Sequence, residues 1–271
     1  MRQLVLADIC VHQVCLSEQT DFAGSLEMLA RHGIGLTALW QPMLAETGLR
    51  RARKLLSDNA VRPVSLCAAQ LFAGQAACLS MLEAAAELGA ESVVVITGGF
   101  DAADKTLDQA RDQAEAALAR LAEAAADFPV RLALEPLHPM VCGFRSVLSS
   151  LAEANTLLDR LDQAVPQHKV GLAVDAYALW WETDIARQID RAGNRILNYH
   201  ISDWLADTQD IRLDRGMPGD GVIDLLGWRQ MIEQTGFAGP VEIEIFSARN
   251  WWQRPAEEML HAIIAGMNRV Y

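Results

Sequence analysis

The sequence predicts a single (β/α)8 TIM barrel spanning residues 1–271, on three observations. Short apolar runs alternate with amphipathic stretches rich in Ala, Leu, Glu and Arg, eight times over. No Ser/Pro-rich linker interrupts the alternation. The G-x-G-x-x-G turn expected after the first strand of a doubly wound sheet is missing. Strict strand–helix alternation implies parallel strands joined by right-handed crossovers, and eight such units suit a closed barrel.

The candidate strands fall at 3–10, 35–40, 62–68, 92–97, 130–135, 170–175, 195–201 and 240–246. Their apolar residues are consecutive instead of alternating, the pattern of strands buried on both faces. Helices are expected at 22–32, 44–59, 75–88, 104–126, 147–162, 183–192, 224–235 and 256–268. ARDQAEAALARLAEAAADF, within the fourth, combines strong helix formers with a Leu/Ala stripe. Gly33, Gly89 and Gly236 stand where the first, third and seventh helices should stop.

Composition narrows the function classes. The chain is 51% hydrophobic, ample for a large core, and carries a formal net charge of −12. An acidic surface argues against nucleic acid and anionic membranes as partners. Five cysteines without a CxxC pair argue against a disulfide framework and a structural zinc site. Cys10, Cys67 and Cys142 are read as buried thiols. The N-terminus turns polar too soon for a signal peptide, and no apolar run is long enough to span a bilayer; a cytoplasmic setting is expected.

Four apolar runs end in residues able to hold a metal. RLALEP stops at Glu135, VGLAVD at Asp175, ILNYH at His200, and VEIEIF carries Glu244. An ionised group at a buried strand tip is costly unless its charge is compensated, and one divalent cation would serve all four. In such a barrel these C-terminal strand ends share the active face. Three carboxylates and an imidazole suit Mn²⁺ best, with Mg²⁺, Co²⁺ or Zn²⁺ as alternatives. Taken singly, each residue also has a plain structural reading as a helix cap, a salt-bridge partner or a core histidine. Glu242 lies on the same strand face as Glu244 and reads as a deeper supporting group.

LALEPLHP at 132–139, VDAYALWW at 174–181, HISDW at 200–204, RGMPGDGVID at 215–224 and VEIEIFS at 241–247 resemble the sugar isomerase/epimerase branch of the xylose-isomerase-like barrels. The resemblance runs in order through the second half of the chain; the first half shares only the βα rhythm. It implies a Glu-Asp-His-Glu metal site carried by Glu135, Asp175, His200 and Glu244. It also implies proton transfer beside a metal-bound carbonyl through an enediolate, with Glu135 and Glu244 as the catalytic pair. The implied substrate is a small sugar, keto-sugar or sugar phosphate, and homo-oligomers occur among such proteins. A dehydratase acting on a keto-polyol, as in inosose dehydratase, and a catalytically weakened sugar-binding homologue are the alternatives. Abasic-site DNA repair shares the barrel but conflicts with the acidic charge.

One departure stands out: relatives carry a histidine three residues after the strand-six aspartate, where this chain has Ala178. His138, just past Glu135, is the candidate to compensate. Arg215, before the glycines of the 214–224 loop, is a candidate substrate contact. Trp40 and Trp181 are candidate aromatic walls, Asp203 a candidate partner for a ligand or a substrate hydroxyl, and His12 and Gln70 possible hydroxyl contacts. Trp251 and Trp252 are read as a lid or an interface.

Overall fold

The computed structural model describes residues 4–100 and 106–271. The barrel strands are β1 (Ile9–His12), β2 (Leu36–Trp40), β3 (Arg62–Gln70), β4 (Ser92–Ile96), β5 (Arg131–Leu134), β6 (Val170–Asp175), β7 (Ile196–Ile201) and β8 (Val241–Ile243). They pair in parallel, each with its chain neighbour, and β8 closes on β1 through Ile9↔Val241 and Val11↔Ile243. The predicted closed barrel is therefore present.

Burial explains why the runs are apolar on both sides. Every residue of β4 and β6 is buried. The outward-facing side chains join one large layer with the helices, built of residues such as Leu66, Val93, Leu132 and Leu172. The inward-facing ones form a separate cluster of small groups, Cys10, Ala38, Val64, Cys67, Val94, Ala133 and Ala173. Small residues inside the barrel leave space for a polar layer that large aliphatics would have filled.

The helices are α1 (Phe22–Arg31), α2 (Gln41–Thr47), α3 (Leu49–Asp58), α4 (Gln75–Leu88), α5 (Leu107–Ala124), α6 (Leu151–Ala164), α7 (Ala176–Leu179), α8 (Ile185–Ala192), α9 (Leu225–Gln234) and α10 (Ala256–Val270). Polar caps set several starts: Asp21, Thr106, Ser150 and Asp224 each accept a backbone N–H from the first turn. Among the described residues, no helix is long and apolar enough to cross a membrane.

The largest departures from the expected boundaries are three. The first strand begins at Ile9, because Leu6–Asp8 form a 3-10 turn with Val5 and Leu6 exposed; residue 3 of the expected strand lies outside the described residues. The apolar letters there are a solvent-facing lead-in, and the shift makes His12 the strand's last residue. The helix expected at 44–59 is two helices, since Gly48 at φ +78° breaks the run. The helix expected from 147 begins at Leu151, while residues 104–105 of the helix before it lie outside the described residues.

Candidate active site at the barrel mouth

Ladder hydrogen bonds position the key backbones just past the strand ends. Glu135 N–H donates to the Val95 carbonyl at 2.9 Å, and Glu244 N–H to that of Ile201 at 3.0 Å. Asp175 ends β6, with one carboxylate oxygen capping the Tyr177 N–H at 2.9 Å. His200 lies within β7, level with Asp175 and with Glu242 in its two neighbouring strands.

These placements bring Glu135, His200 and Glu244 together, each offering an atom within 4.8 Å of the others. His200 Nδ1 and Glu135 Oε1 are 3.0 Å apart. Asp175 sits beside the trio, fully buried. Its Oδ2 lies 3.0 Å from an Arg215 nitrogen without the alignment of a hydrogen bond. Arg215 approaches Glu244 Oε2 equally, at 3.1 Å, so one guanidinium spans two carboxylates.

A second layer lies beneath. Glu242 accepts hydrogen bonds from Asn198 Nδ2 at 2.7 Å and Ser65 Oγ at 3.3 Å. His12 joins the layers, with Nε2 3.2 Å from Glu242 and Nδ1 3.4 Å from Glu244. Its ring meets that of His200 edge-on at 4.7 Å.

Electrostatics follow from this crowding. Burial opposes a charged ring on His12, but the hydrogen bonds to Glu242 and Glu244 overcome it and lift the group to about 10. His200 is lifted to about 10 likewise, burial being outweighed by Glu135 and Glu242. Burial works to raise Glu244, yet Arg215 and His12 hold it well below the usual carboxylate range. Asp175 rises to about 6, driven by burial against the opposing charge of Arg215.

The set fits a divalent cation. Ligand atoms about 2.1 Å from a shared ion lie about 3 Å apart at an octahedral edge, matching the His200–Glu135 spacing of 3.0 Å. Asp175 Oδ2, fully buried without a hydrogen-bond partner, lies beside this trio but outside its 4.8 Å grouping. The donors are mostly hard oxygens.

The pocket above is lined by Trp40, Phe246, Tyr177, Leu137, His138 and Ala178, with Glu135, Glu244 and Arg215 at its base. His138 stacks on Trp204 at 4.9 Å and accepts the Met140 N–H at Nδ1, which leaves Nε2 to carry the ring proton. Burial keeps that ring's affinity for a second proton low. Trp40 meets Phe246 edge-on at 5.7 Å.

Other expected site residues stand elsewhere. Trp181 is outside the pocket lining, partly exposed, with its indole N–H on the Ala178 carbonyl at 2.9 Å. Asp203 commits its oxygens to the backbone N–H groups of Trp204, Gly219 and Ile223, and so holds the glycine-rich loop. That loop needs Gly221, where a Cβ would lie 2.3 Å from the Trp204 carbonyl. Gln70 ends β3 on an exposed face. Trp252 packs on Phe246 and donates to the Val14 carbonyl at 3.1 Å, while Trp251 is buried. All five cysteines are free; Cys10 and Cys67 are buried as expected, whereas Cys142 is half-buried.

Sequence reasoning missed the bridging place of His12, the Tyr177 and Phe246 faces that sandwich Arg215 at 4.4 and 5.2 Å, and two further pocket arginines, Arg145 and Arg212. A correct first-strand boundary would have flagged His12 as a strand-tip residue. Nothing local marks the others.

Comparison with known proteins agrees with this architecture. A curated inosose isomerase from Bacillus velezensis is 23% identical over 276 residues, covering 93% of this chain and 92% of its own length. Protein SMc04130 from Sinorhizobium meliloti superposes with a TM-score of 0.92 at 36% identity, over 98% of this chain and 99% of that one. Two more distant crystal structures share the fold. The IOLI protein with a binding zinc atom has a TM-score of 0.82 at 20% identity, covering 97% of each chain. A D-allulose 3-epimerase from Methylomonas sp. in complex with D-allulose has 0.77 at 19%, over 98% of this chain and 97% of that one. The family model described as "Xylose isomerase-like TIM barrel" matches residues 26–265, and the chain belongs to that family.

Proposed function

We propose that this protein is a divalent-metal-dependent isomerase or epimerase of a small sugar or keto-sugar, acting by proton transfer next to a carbonyl. The observation that carries the reading is the convergence of Glu135, His200 and Glu244 within 4.8 Å at the floor of a pocket. Glu135, Asp175, His200 and Glu244 would hold the ion, Mn²⁺ by the hardness of the donors; the IOLI relative's zinc makes Zn²⁺ the first competitor. When bound, the cation supplies Lewis-acid polarisation of a carbonyl and its neighbouring hydroxyl.

The chain's own groups do the rest. Glu244, held ionised by Arg215 and His12, is the base that takes the proton from the carbon beside the carbonyl. Glu135 reaches the pocket from β5, three strands away around the barrel; entering the cycle protonated, it gives its proton from a different direction while Glu244 keeps the one it removed, and solvent exchange restores both. Return to the same carbon on its other face epimerises; return to the neighbouring carbon isomerises. Arg215 fixes the aim of Glu244 and Asp175. His138 offers its Nε2–H to a hydroxyl, and Trp40 and Phe246 pack against sugar C–H surfaces. The inosose isomerase and allulose epimerase relatives support a polyhydroxy ketone as substrate.

The test is proton NMR in D₂O with a panel of inososes, ketohexoses and ketopentoses and of their phosphate and carboxylate forms, using protein loaded with Mn²⁺, Co²⁺ or Zn²⁺. Zn²⁺ gives the cleanest lines, and reactions with Mn²⁺ are quenched and stripped of metal first. Deuterium should replace the hydrogen beside the carbonyl, and excess chelator should stop it. A new deoxy product would turn the reading towards a dehydratase. Silence across the panel with every metal would remove it.

A further inference from the structure

Beyond the paired Arg215, two arginines reach the pocket from different loops. Arg145 comes from the loop after β5 and is half-buried; Arg212 comes from the loop after β7 and is exposed. Among the described residues neither guanidinium has a carboxylate within ion-pair distance or donates a hydrogen bond. Asp210, the acid whose charge reaches Arg212, spends one oxygen on the N–H groups of Arg212 and Leu213 at 2.8 and 2.9 Å. Two pocket arginines with no ion-pair partner among the described residues stand out in a chain with net charge −12.

The two loops are fastened together. Val141 and Ile211 pack with Ile96 and Leu137 in one apolar cluster. Arg145 N–H donates back to the Val141 carbonyl at 3.0 Å, and Arg212 adjoins Ile211 in sequence. The Arg212 guanidinium lies 5.9 Å from the Phe246 ring centre, and so keeps to the pocket wall. Burial, then Arg212, draws the Arg145 guanidinium below its usual value, while Glu135 and Glu244 pull it back only in part.

Charge matching shows what is missing. This step rests on the metal-dependent reading above. Arg215 is committed to Asp175 and Glu244, and no inner carboxylate comes within ion-pair distance of Arg145 or Arg212. Among the described residues, the outer arginines are left without a paired carboxylate.

We propose that Arg145 and Arg212 form an anion subsite at the outer end of the pocket, so that the substrate is a short ketose bearing a terminal phosphate or carboxylate. Both anions match a guanidinium's paired donors.

The experiment separates the subsite from the reaction. Mg²⁺-loaded protein is titrated calorimetrically at low ionic strength with inorganic phosphate and with malonate, the arginine variants separating the subsite from binding at the metal. At least one should bind, with R145Q weakening it about tenfold and R212Q, exposed in solvent, about threefold. Phosphate alone binding identifies a sugar phosphate; malonate alone identifies a sugar acid. Binding of neither, or equal binding to R145Q/R212Q, overturns the subsite; the exposed R212Q change keeps the test open should R145Q misfold. D₂O exchange is then compared for a neutral ketose and its terminal phosphate and carboxylate forms. An anionic form should exchange at least tenfold faster in kcat/KM, and a faster neutral ketose overturns the substrate class. No exchange with any of them, beside arginine-dependent anion binding, removes the isomerase reading and leaves the subsite standing.

Discussion

Glu242 and Glu244 sit two residues apart on the last strand and its extension, face the same side, and are both buried among histidines. Their surroundings nevertheless divide them. Glu242 is fully enclosed, and Asn198, Ser65 and His12 surround its oxygens. Asn198 is braced in turn by Ser92 at 2.9 Å. Glu244 borders the pocket and meets groups that belong to the mouth, Arg215 above and His12 below. One layer is a closed polar network that fixes histidines, and the next is an open set of charges with room for a ligand. Depth and company, not residue type, separate support from chemistry.

The largest expected effect breaks that comparison from the open side. Glu244→Gln removes the base but keeps shape and most hydrogen bonds, so turnover should fall by about a thousandfold or more. Thermal unfolding should move by only a few degrees. Glu242→Gln should do the reverse. Weakening a buried, charge-assisted network costs about 1–3 kcal/mol, or about 2–10 °C in Tm for a chain of this size. Exchange should drop only about tenfold, through a less firmly held His12. Melting curves beside deuterium-exchange rates for the two variants read this directly. If the outcomes were swapped, with Glu244→Gln active and Glu242→Gln dead but stably folded, the roles assigned to the two layers would be reversed.

A smaller effect is expected at Ala178, which lines the pocket and is almost wholly buried. Ala178→His adds volume to a packed wall, at a cost of about 1–3 kcal/mol. Placed beside Tyr177, the new imidazole would offer a second imidazole contact to a hydroxyl beside that of His138. KM for a neutral ketose should fall severalfold while kcat stays within about twofold. An unchanged KM would mean that His138 already fills the role.

How much of this was legible in the sequence follows the same division. The four strand-tip residues could be read because parallel strands buried on both faces write continuous apolar runs, and a charged residue at the end of such a run is conspicuous. Seven of the eight strands were placed within a few residues for the same reason. His12 was displaced because Val5 and Leu6 imitate a strand while facing solvent. Arg145 and Arg212 lie in loops whose approach depends on Val141 meeting Ile211, a contact between residues far apart in sequence that no local pattern records. Asp203 looked like a site residue because it follows His200 closely, but its bonds go to the loop backbone.

Charge pairing on the outer surface is far weaker than at the mouth. At the mouth two buried carboxylates share one arginine; on the surface the arrangement is inverted, with Asp159 bound by Arg191 at 2.6 Å and by Arg195 at 2.7 Å. The hydrogen bonds from Arg191 and Arg195 lower the Asp159 carboxyl below its usual value. A depressed folded-state value means that the stabilisation is fully present above the unfolded value near 3.8 and is lost as pH falls through the folded one. Asp159 remains 44% exposed, however, so water and salt screen the pairs. Asp159→Asn should therefore cost well under about 1 kcal/mol at pH 7. The difference from the parent chain should shrink in 1 M salt and fade as pH drops below 3.8 towards the folded value, as followed by chemical denaturation from pH 7 into strong acid. A loss of several kcal/mol at neutral pH, insensitive to salt, would show that exposure does not discount these charges, and would undercut the distinction drawn between the closed and open layers.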